Sequence, residues 1–177
     1  MEATSVPIAV KLSPFYTALP NLARRLVHAG AKGLALFNRF YQPDIDVEKL
    51  VVVPRIQYST SAESSLRLRW VAILSAQLET SFAVTGGIRS PEDALKAVLV
   101  GADGVQLVSE VLQHGLGSFT KIRHWLEQWL TEHHYQSLSQ LRDSMNHSYS
   151  LSSGAYERAN YLHTLHSYPP VRETPPR

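Results

Sequence analysis

The run in this sequence best suited to chemistry is Thr85-Gly86-Gly87-Ile88. Two adjacent glycines, lacking Cβ atoms, let backbone N–H groups approach a ligand closely. Free amides near a strand tip or a helix start make a site for phosphate. The same pair also serves as a tight turn with no ligand, and the pattern alone leaves both readings open. Two polar groups stand at the tips of other strand-like runs: Lys11 near the end of Val6–Leu12, and Asn38 after Gly33–Phe37. The histidines give no metal site. His133 and His134 are adjacent and diverge on a helix, and His163 and His166 share a face with no third ligand. The absence of cysteine excludes disulfides, thiolate catalysis and cysteine metal ligation. Ser13, Ser61 and Ser109 lie outside any Gly-x-Ser-x-Gly elbow.

The glycine pair has to be carried by a strand and a helix, and both are legible. Phe82–Val84 is a strand that stops at the pair. The next helix opens with Ser90 as N-cap, Pro91 at its first position and Glu92 and Asp93 in the first turn. Ala94, Leu95, Ala97, Val98 and Leu99 suit packing on a sheet, Gly101 ends the helix, and Gly104–Val108 reads as the following strand. Strand, helix, strand is a βαβ unit with parallel strands and a right-handed crossover. An earlier unit has the same form: a strand over 6–12, a helix over about 16–29 with Leu19, Leu22, Ala23, Leu26 and Val27 on one face, Gly30 as its C-cap, and a strand over 33–37. Ala29-Gly30-Ala31-Lys32-Gly33 and Val100-Gly101-Ala102-Asp103-Gly104 are near copies, an internal echo expected of repeated βα units.

Between Tyr41 and Ser64 the pattern loosens. Gln42–Asp46 reads as a turn-rich loop, and Val51–Pro54 with Ile56–Tyr58 as a short hairpin that Pro54 confines to an edge. A long insertion at a strand's C-terminal end is usually functional in a compact α/β domain. A helix over about 66–79 follows, with Trp70, Ile73 and Leu74 inward. Arg24-Arg25 and the Arg67/Arg69 pair read as solvated helix faces. A helix from Gly117 or Ser118 to Glu132 has Phe119, Ile122, Trp125, Leu126, Trp129 and Leu130 as its apolar face, with both tryptophans expected in the core. A short helix capped by Ser137, a polar linker over 148–154 and a last helix over 155–166 complete the chain. The proline-rich end from Tyr168 reads as disordered.

Composition narrows the class. The 177 residues suffice for one domain with a real core, and 44% hydrophobic with 18% charged residues are globular values. A net charge of +2, from 17 basic and 15 acidic residues, gives no reason to expect nucleic acid or an anionic membrane as partner. The N-terminus lacks the basic start and long apolar run of a signal peptide, and no segment approaches the roughly 20 apolar residues of a membrane span. The expectation is a soluble cytoplasmic protein.

Taken together, Val10–Pro14 (VKLSP), Phe37-Asn38, Thr85–Ser109 (TGGIRSPEDALKAVLVGADGVQLVS) and His134–Arg142 (HYQSLSQLR) resemble, in order, the C-terminal half of dihydroorotate dehydrogenase-like proteins of the soluble class. These are FMN-dependent (β/α)8 TIM barrels, and the four βα units counted here are half of one. The resemblance implies a half barrel binding FMN phosphate over 1–135, C-terminal helices over 136–168 and a disordered tail over 169–177. It implies that Lys11 sits beneath the flavin and stabilises negative charge at its N1–O2 edge. Asn38 would hydrogen-bond a dihydroorotate-like substrate with both amide atoms. Gly86 and Gly87 would donate amides to the FMN phosphate. Val108 and Ser109, where the family commonly has Gly-Thr, would complete that site. Thr60 and Ser61 replace a glycine-containing stretch that lines the flavin.

Other features depart from the family. Arg39 stands where the soluble enzymes usually have a small residue, and the family's catalytic cysteine or serine, on a first-half loop, has no counterpart. No catalytic residue is therefore assigned. Four parallel strands standing alone would expose two edges and an apolar face. The chain is then expected to need a missing barrel half, supplied by a longer reading frame, another chain or self-association. The alternative function is a non-catalytic phosphate- or flavin-binding half barrel.

Overall fold

The computed structural model describes residues 5–55, 57–151 and 153–156. Its centre is a four-stranded parallel sheet built from β1 (Ala9–Leu12), β2 (Gly33–Leu36), β5 (Ser81–Thr85) and β6 (Gly104–Gln106), in the order β1-β2-β5-β6. The intervening strands β3 (Asp44–Asp46) and β4 (Val51–Val53) form a separate antiparallel hairpin. Helices α1 (Leu19–His28), α2 (Ser64–Ser75) and α3 (Pro91–Leu99) supply the crossovers. They are followed by α4 (Val108–His114), α5 (Gly117–Glu132) and α6 (Leu138–Leu141). Among the described residues no helix is long and apolar enough to cross a membrane, and no group of three or more histidines or acids could hold a metal ion.

Side-chain parity decides where the core sits. Leu12, Leu34, Leu36, Phe82 and Val84 all point to one face of the sheet, where they pack with Leu19 and Ala23 of α1, Val71, Ala72 and Leu74 of α2, Ala94 and Ala97 of α3, and Ile122 of α5. The opposite parity carries a different set. Lys11, Ala35, Ala83 and Gly104 stand in register across the strands, with Ser81, Thr85 and Gln106 beside them. The expected exposed apolar face is thus replaced by a face of small and polar side chains.

The repeated pentapeptides make the same bonds. Gly30 (φ 101°) and Gly101 (φ 113°) leave their helices in the left-handed region. Ala31 and Ala102 then donate to Leu26 and Ala97, 3.0 and 2.9 Å, as Schellman-type ends do. Lys32 and Asp103 go on to donate to Ile8 and Phe82, 2.9 and 2.8 Å, which sets the next strand in register. The echo in sequence is an echo in backbone hydrogen bonding.

Several elements differ from the sequence expectations. The strand expected over 6–12 pairs only from Ala9, beyond the missing N–H of Pro7. Helix α1 starts at Leu19 rather than Tyr16, because Pro20 fits only its first turn. Helix α2 lies a little before the expected 66–79 span, with Val71, Ala72 and Leu74 buried and Trp70 and Ile73 half-buried. Strand β6 ends at Gln106, and Val108 begins a helix. Its partner β5 ends at Thr85, opposite Gln106, so no backbone remains for Leu107 and Val108 to pair with.

The hairpin pairs Asp44–Asp46 with Val51–Val53; of the partner expected over 56–58, Ile56 lies outside the described residues and Gln57 and Tyr58 are not in a strand. Asp46 Oδ1 accepts the N–H groups of Glu48 and Lys49, 3.1 and 3.0 Å, a side-chain turn that fixes the reversal upstream of Val51. Trp125 and Trp129 are half-buried and outside the core cluster. Trp129 stacks on His133 at 3.9 Å and on Tyr135 at 6.0 Å. Within the expected linker over 148–154, Ser148 and Tyr149 donate their N–H groups to Asn146 Oδ1. Of the expected last helix over 155–166 only a 3-10 turn at Ser153–Tyr156 is described, and the expected disordered end lies outside the described residues.

Candidate functional site

The C-terminal ends of all four parallel strands lie on one edge of the sheet, and the candidate residues collect there. At the end of β5 the chain turns through Gly86 (φ 85°) and Gly87 (φ 84°), a left-handed pair that residues with a Cβ adopt only under strain. Space adds a second constraint. A Cβ on Gly87 would lie 2.5 Å from the Ser64 nitrogen, and one on Gly86 would lie 2.9 Å from Arg67 Nη2. The loop is therefore pressed against the first turn of α2.

Beyond the loop, Ser90 caps α3 as expected, with its hydroxyl accepting from Asp93 N–H at 3.2 Å. The buried Asp93 carboxylate accepts in return from Ser90 N–H (3.1 Å), Arg89 N–H (3.0 Å) and Ser61 Oγ (2.7 Å). Thr60 donates its N–H to Glu63 Oε1 at 3.3 Å, and Glu63 returns its own N–H to the Thr60 carbonyl at 3.0 Å. Ser109 stands in the first turn of α4, where its Oγ accepts from Ser59 N–H and Ser59 Oγ, both at 3.0 Å. Val108 beside it is exposed. Gly86, Gly87, Thr60, Ser61, Val108 and Ser109 thus belong to one knot of loops at the ends of β5 and β6.

Lys11 and Asn38 belong to the neighbouring strand ends. Asn38 N–H donates to the Leu12 carbonyl at 2.6 Å, which ties the end of β2 to the strand that carries Lys11. Both side chains are exposed. The Leu36–Phe37 peptide just before Asn38 is cis. Lys11 shares its register row with Ala35 and Ala83, so small side chains adjoin the ammonium. Past Asn38, a cavity of about 460 Å³ is lined by Arg39, Phe40, Tyr41, Gln42, Asp44 and Arg55. Arg55 and Asp44 close one wall with a 2.9 Å ion pair.

Three groups that the sequence did not single out organise the site. Arg67, expected on a solvated face, is 6% exposed. Its Nε donates to the Thr85 carbonyl at 2.7 Å and its Nη1 to the Glu63 carbonyl at 2.5 Å. Burial pulls its guanidinium below the ordinary arginine value, and the Glu63 carboxylate opposes that. Glu63 lies 3.2 Å from Arg39 and 3.7 Å from Arg67, joining the ends of β2 and β5. Arg89 pairs with the buried Glu110 at 2.9 Å and donates to the Ser59 carbonyl at 3.2 Å. Glu110 also meets His114 at 2.9 Å. The Glu63–Arg67 spacing of four on a helix was the available signal, although it marks solvated pairs as readily as buried ones. Arg69, paired with it in the sequence reading, is half-buried and donates to the Tyr156 carbonyl at 2.7 Å.

What the arrangement offers a ligand is a glycine-pair backbone at a strand end and, on the same sheet, a free ammonium bordered by small side chains. The ammonium is exposed, while Ala35 and Gly87 beside it on the sheet and at its edge are buried and Gly86 is half-buried.

Comparison with known proteins gives the same direction. The family model described as dihydroorotate dehydrogenase matches residues 1–130. The "Dihydroorotate dehydrogenase B (NAD(+)), catalytic subunit" of Pelobacter propionicus is 33% identical over 149 residues, which cover 79% of this chain and 47% of that protein. The protein of the same name from Methanocaldococcus jannaschii is 31% identical over 124 residues, 68% of this chain and 40% of the relative. The chloroplastic dihydropyrimidine dehydrogenase (NADP(+)) of Arabidopsis thaliana is 24% identical over 152 residues, 78% and 36% of the two chains. The chain spans about half the length of the dihydroorotate dehydrogenase relatives it matches.

Proposed function

The chain belongs to the dihydroorotate dehydrogenase family, and from that premise we propose that it is the cofactor-binding half of an FMN-dependent oxidoreductase acting on dihydroorotate or a close relative in pyrimidine biosynthesis. In this reading the sheet is half of a (β/α)8 barrel, completed by residues outside this chain or by another chain. The length comparison supports it, as does the four-strand order, in which β1 and β6 have no outer partner among the described residues.

The observation that carries the reading is the placement of Lys11 on the face opposite the core, in register with Ala35 and Ala83, on the sheet whose β5 ends in Gly86-Gly87. A bare phosphate binder built on the glycine pair does not need a lysine on β1, two strands away from β5. Bound FMN supplies the two-electron acceptor. The chain's own groups bind and orient. Gly86 and Gly87 offer N–H groups to the phosphate, and Val108 and Ser109 add backbone from the end of β6. The Ser59–Ser109 and Ser61–Asp93 bonds hold the surrounding loops in place. The Lys11 ammonium supplies fixed positive charge where the ring accumulates negative charge. The exposed amide of Asn38 offers a donor and an acceptor to a pyrimidine-like substrate. No group of this chain is assigned as the catalytic base.

The test is anaerobic addition of dihydroorotate to the FMN-loaded protein, alone and with a chain supplying the first half of the barrel. Bleaching of the oxidised flavin band in either mixture supports the oxidoreductase. Retained flavin that is never bleached favours the binding-only half barrel. Failure to retain flavin in both mixtures contradicts the oxidoreductase and the flavin-binding half barrel alike, and leaves only a phosphate-binding one.

A further inference from the structure

We propose that Arg67 is a positioning residue for the phosphate end of the site, holding Gly86 and Gly87 in the conformation that presents their backbone. The proposal rests on the flavin reading above and names the group that shapes its phosphate loop.

The guanidinium is buried beneath the loop. Nε donates to the Thr85 carbonyl, the last of β5, at 2.7 Å, and Nη1 to the Glu63 carbonyl at 2.5 Å. Nη2 lies 3.7 Å from Glu63 Oε2 and fills the space a Cβ on Gly86 would need. The Thr85 carbonyl also receives Phe37 N–H at 3.4 Å, so the fork acts where the ends of β2 and β5 meet. A buried cation is costly unless its donors are used. Here one hydrogen bond goes to the carbonyl just before the glycine pair, and the other to the Glu63 carbonyl in the turn against which Gly87 is pressed. A lysine keeps the charge but has no planar fork to span the two carbonyls. Arg67 therefore acts by fixing backbone directions, and its loss costs the phosphate contact rather than the ring contact.

The experiment compares the full-length chain with Arg67→Lys and Arg67→Gln. Affinities for FMN and riboflavin, which lacks the phosphate, are measured by flavin fluorescence. Amide order at Gly86 and Gly87 is followed by 15N relaxation in the ligand-free proteins. The expected result is a loss of FMN affinity of about tenfold or more in both variants, since hydrogen bonds from a charged group are at stake. Riboflavin affinity should be unchanged, with added mobility at the two glycines. Variants that keep the FMN-to-riboflavin ratio overturn the proposal, as does an equal loss of both ligands. If the unaltered chain binds FMN no better than riboflavin, the flavin reading is what fails. The relaxation data then decide on Arg67: new mobility in both variants upholds its hold on the loop, and unchanged order overturns it.

Discussion

Ser59 and Ser109 lie fifty positions apart in the chain and meet through one oxygen, Ser109 Oγ, which accepts from both the N–H and the hydroxyl of Ser59 at 3.0 Å. This bond joins the segment before α2 to the first turn of α4. It occupies both lone pairs of Ser109 Oγ and aims the hydroxyl from the protein side, so what Ser109 has left to offer a ligand is its O–H donor and its backbone. Ser109→Ala is expected to cost about 0.5–1.5 kcal/mol of stability, the net worth of an ordinary hydrogen bond, and to weaken FMN binding severalfold. Denaturant unfolding and flavin titration read the two effects separately.

Gly87 and Gly104 make a matched pair of substitutions. Gly87→Ala puts a Cβ 2.5 Å from the Ser64 nitrogen at a φ of 84°, whereas nothing lies within 4 Å of a Cβ on Gly104. The first change is expected to cost roughly 1–3 kcal/mol from backbone strain alone. The second should stay within about 0.5 kcal/mol. Equal unfolding midpoints for the two variants would show that the loop is not held as described.

Helix α3 depends on its cap. Ser90 Oγ accepts from Asp93 N–H, and the Asp93 carboxylate closes the box on Ser90 N–H. Ser90→Ala should cost about 1 kcal/mol. Asp93→Ala should cost more, because Ser61 Oγ and Arg89 N–H lose their acceptor with it. Urea unfolding of both variants checks the order.

Lys11 separates function from folding. Its side chain is exposed and makes no contribution to the core cluster. Lys11→Met should therefore leave the unfolding midpoint unchanged. In the FMN-loaded protein it should slow flavin reduction, since the charge opposite the reduced ring is gone. A variant that is reduced at the unaltered rate would remove Lys11 from the flavin site.

Tyr156 predicts an alkaline effect. Burial raises its phenol above the ordinary value, and its hydroxyl donates to the Met145 carbonyl. A group with a raised folded-state pKa contributes stability that is fully present below its unfolded value, about 10, and is lost as pH rises through the folded value. Stability should fall with pH only in that alkaline range, and Tyr156→Phe should remove this component. Unfolding measured from neutral to alkaline pH in both proteins tests it. A pH profile unaffected by the substitution would contradict the assignment.

Sequence legibility follows the range of the interactions. Helix α3 was readable because Ser90, Pro91, Glu92 and Asp93 act on backbone within a few residues. The two Gly-Ala pentapeptides were readable because their helix ends and strand starts are local too. Strand β6 was read too long because its end is set by β5, whose backbone turns away at Gly86. The hairpin register was misread because the Asp46 side chain makes the turn upstream of Val51. Arg67 was invisible as a buried group: nothing in its own helix reveals that Thr85, eighteen positions on, supplies the acceptor. The strand-end positions of Lys11, Asn38 and Gly86-Gly87 could be read from the short apolar runs that they close or follow. The knot of Ser59, Ser61, Asp93, Arg89 and Ser109 could not, because every bond in it that links separate loops depends on the tertiary fold.

The most direct test of the central claim is the absorbance spectrum of the purified protein after incubation with FMN and desalting. The account predicts that oxidised flavin bands stay with the protein and are lost when Gly87 is replaced by alanine. A protein that emerges free of flavin, both alone and in the presence of a chain supplying the first half of the barrel, would contradict it.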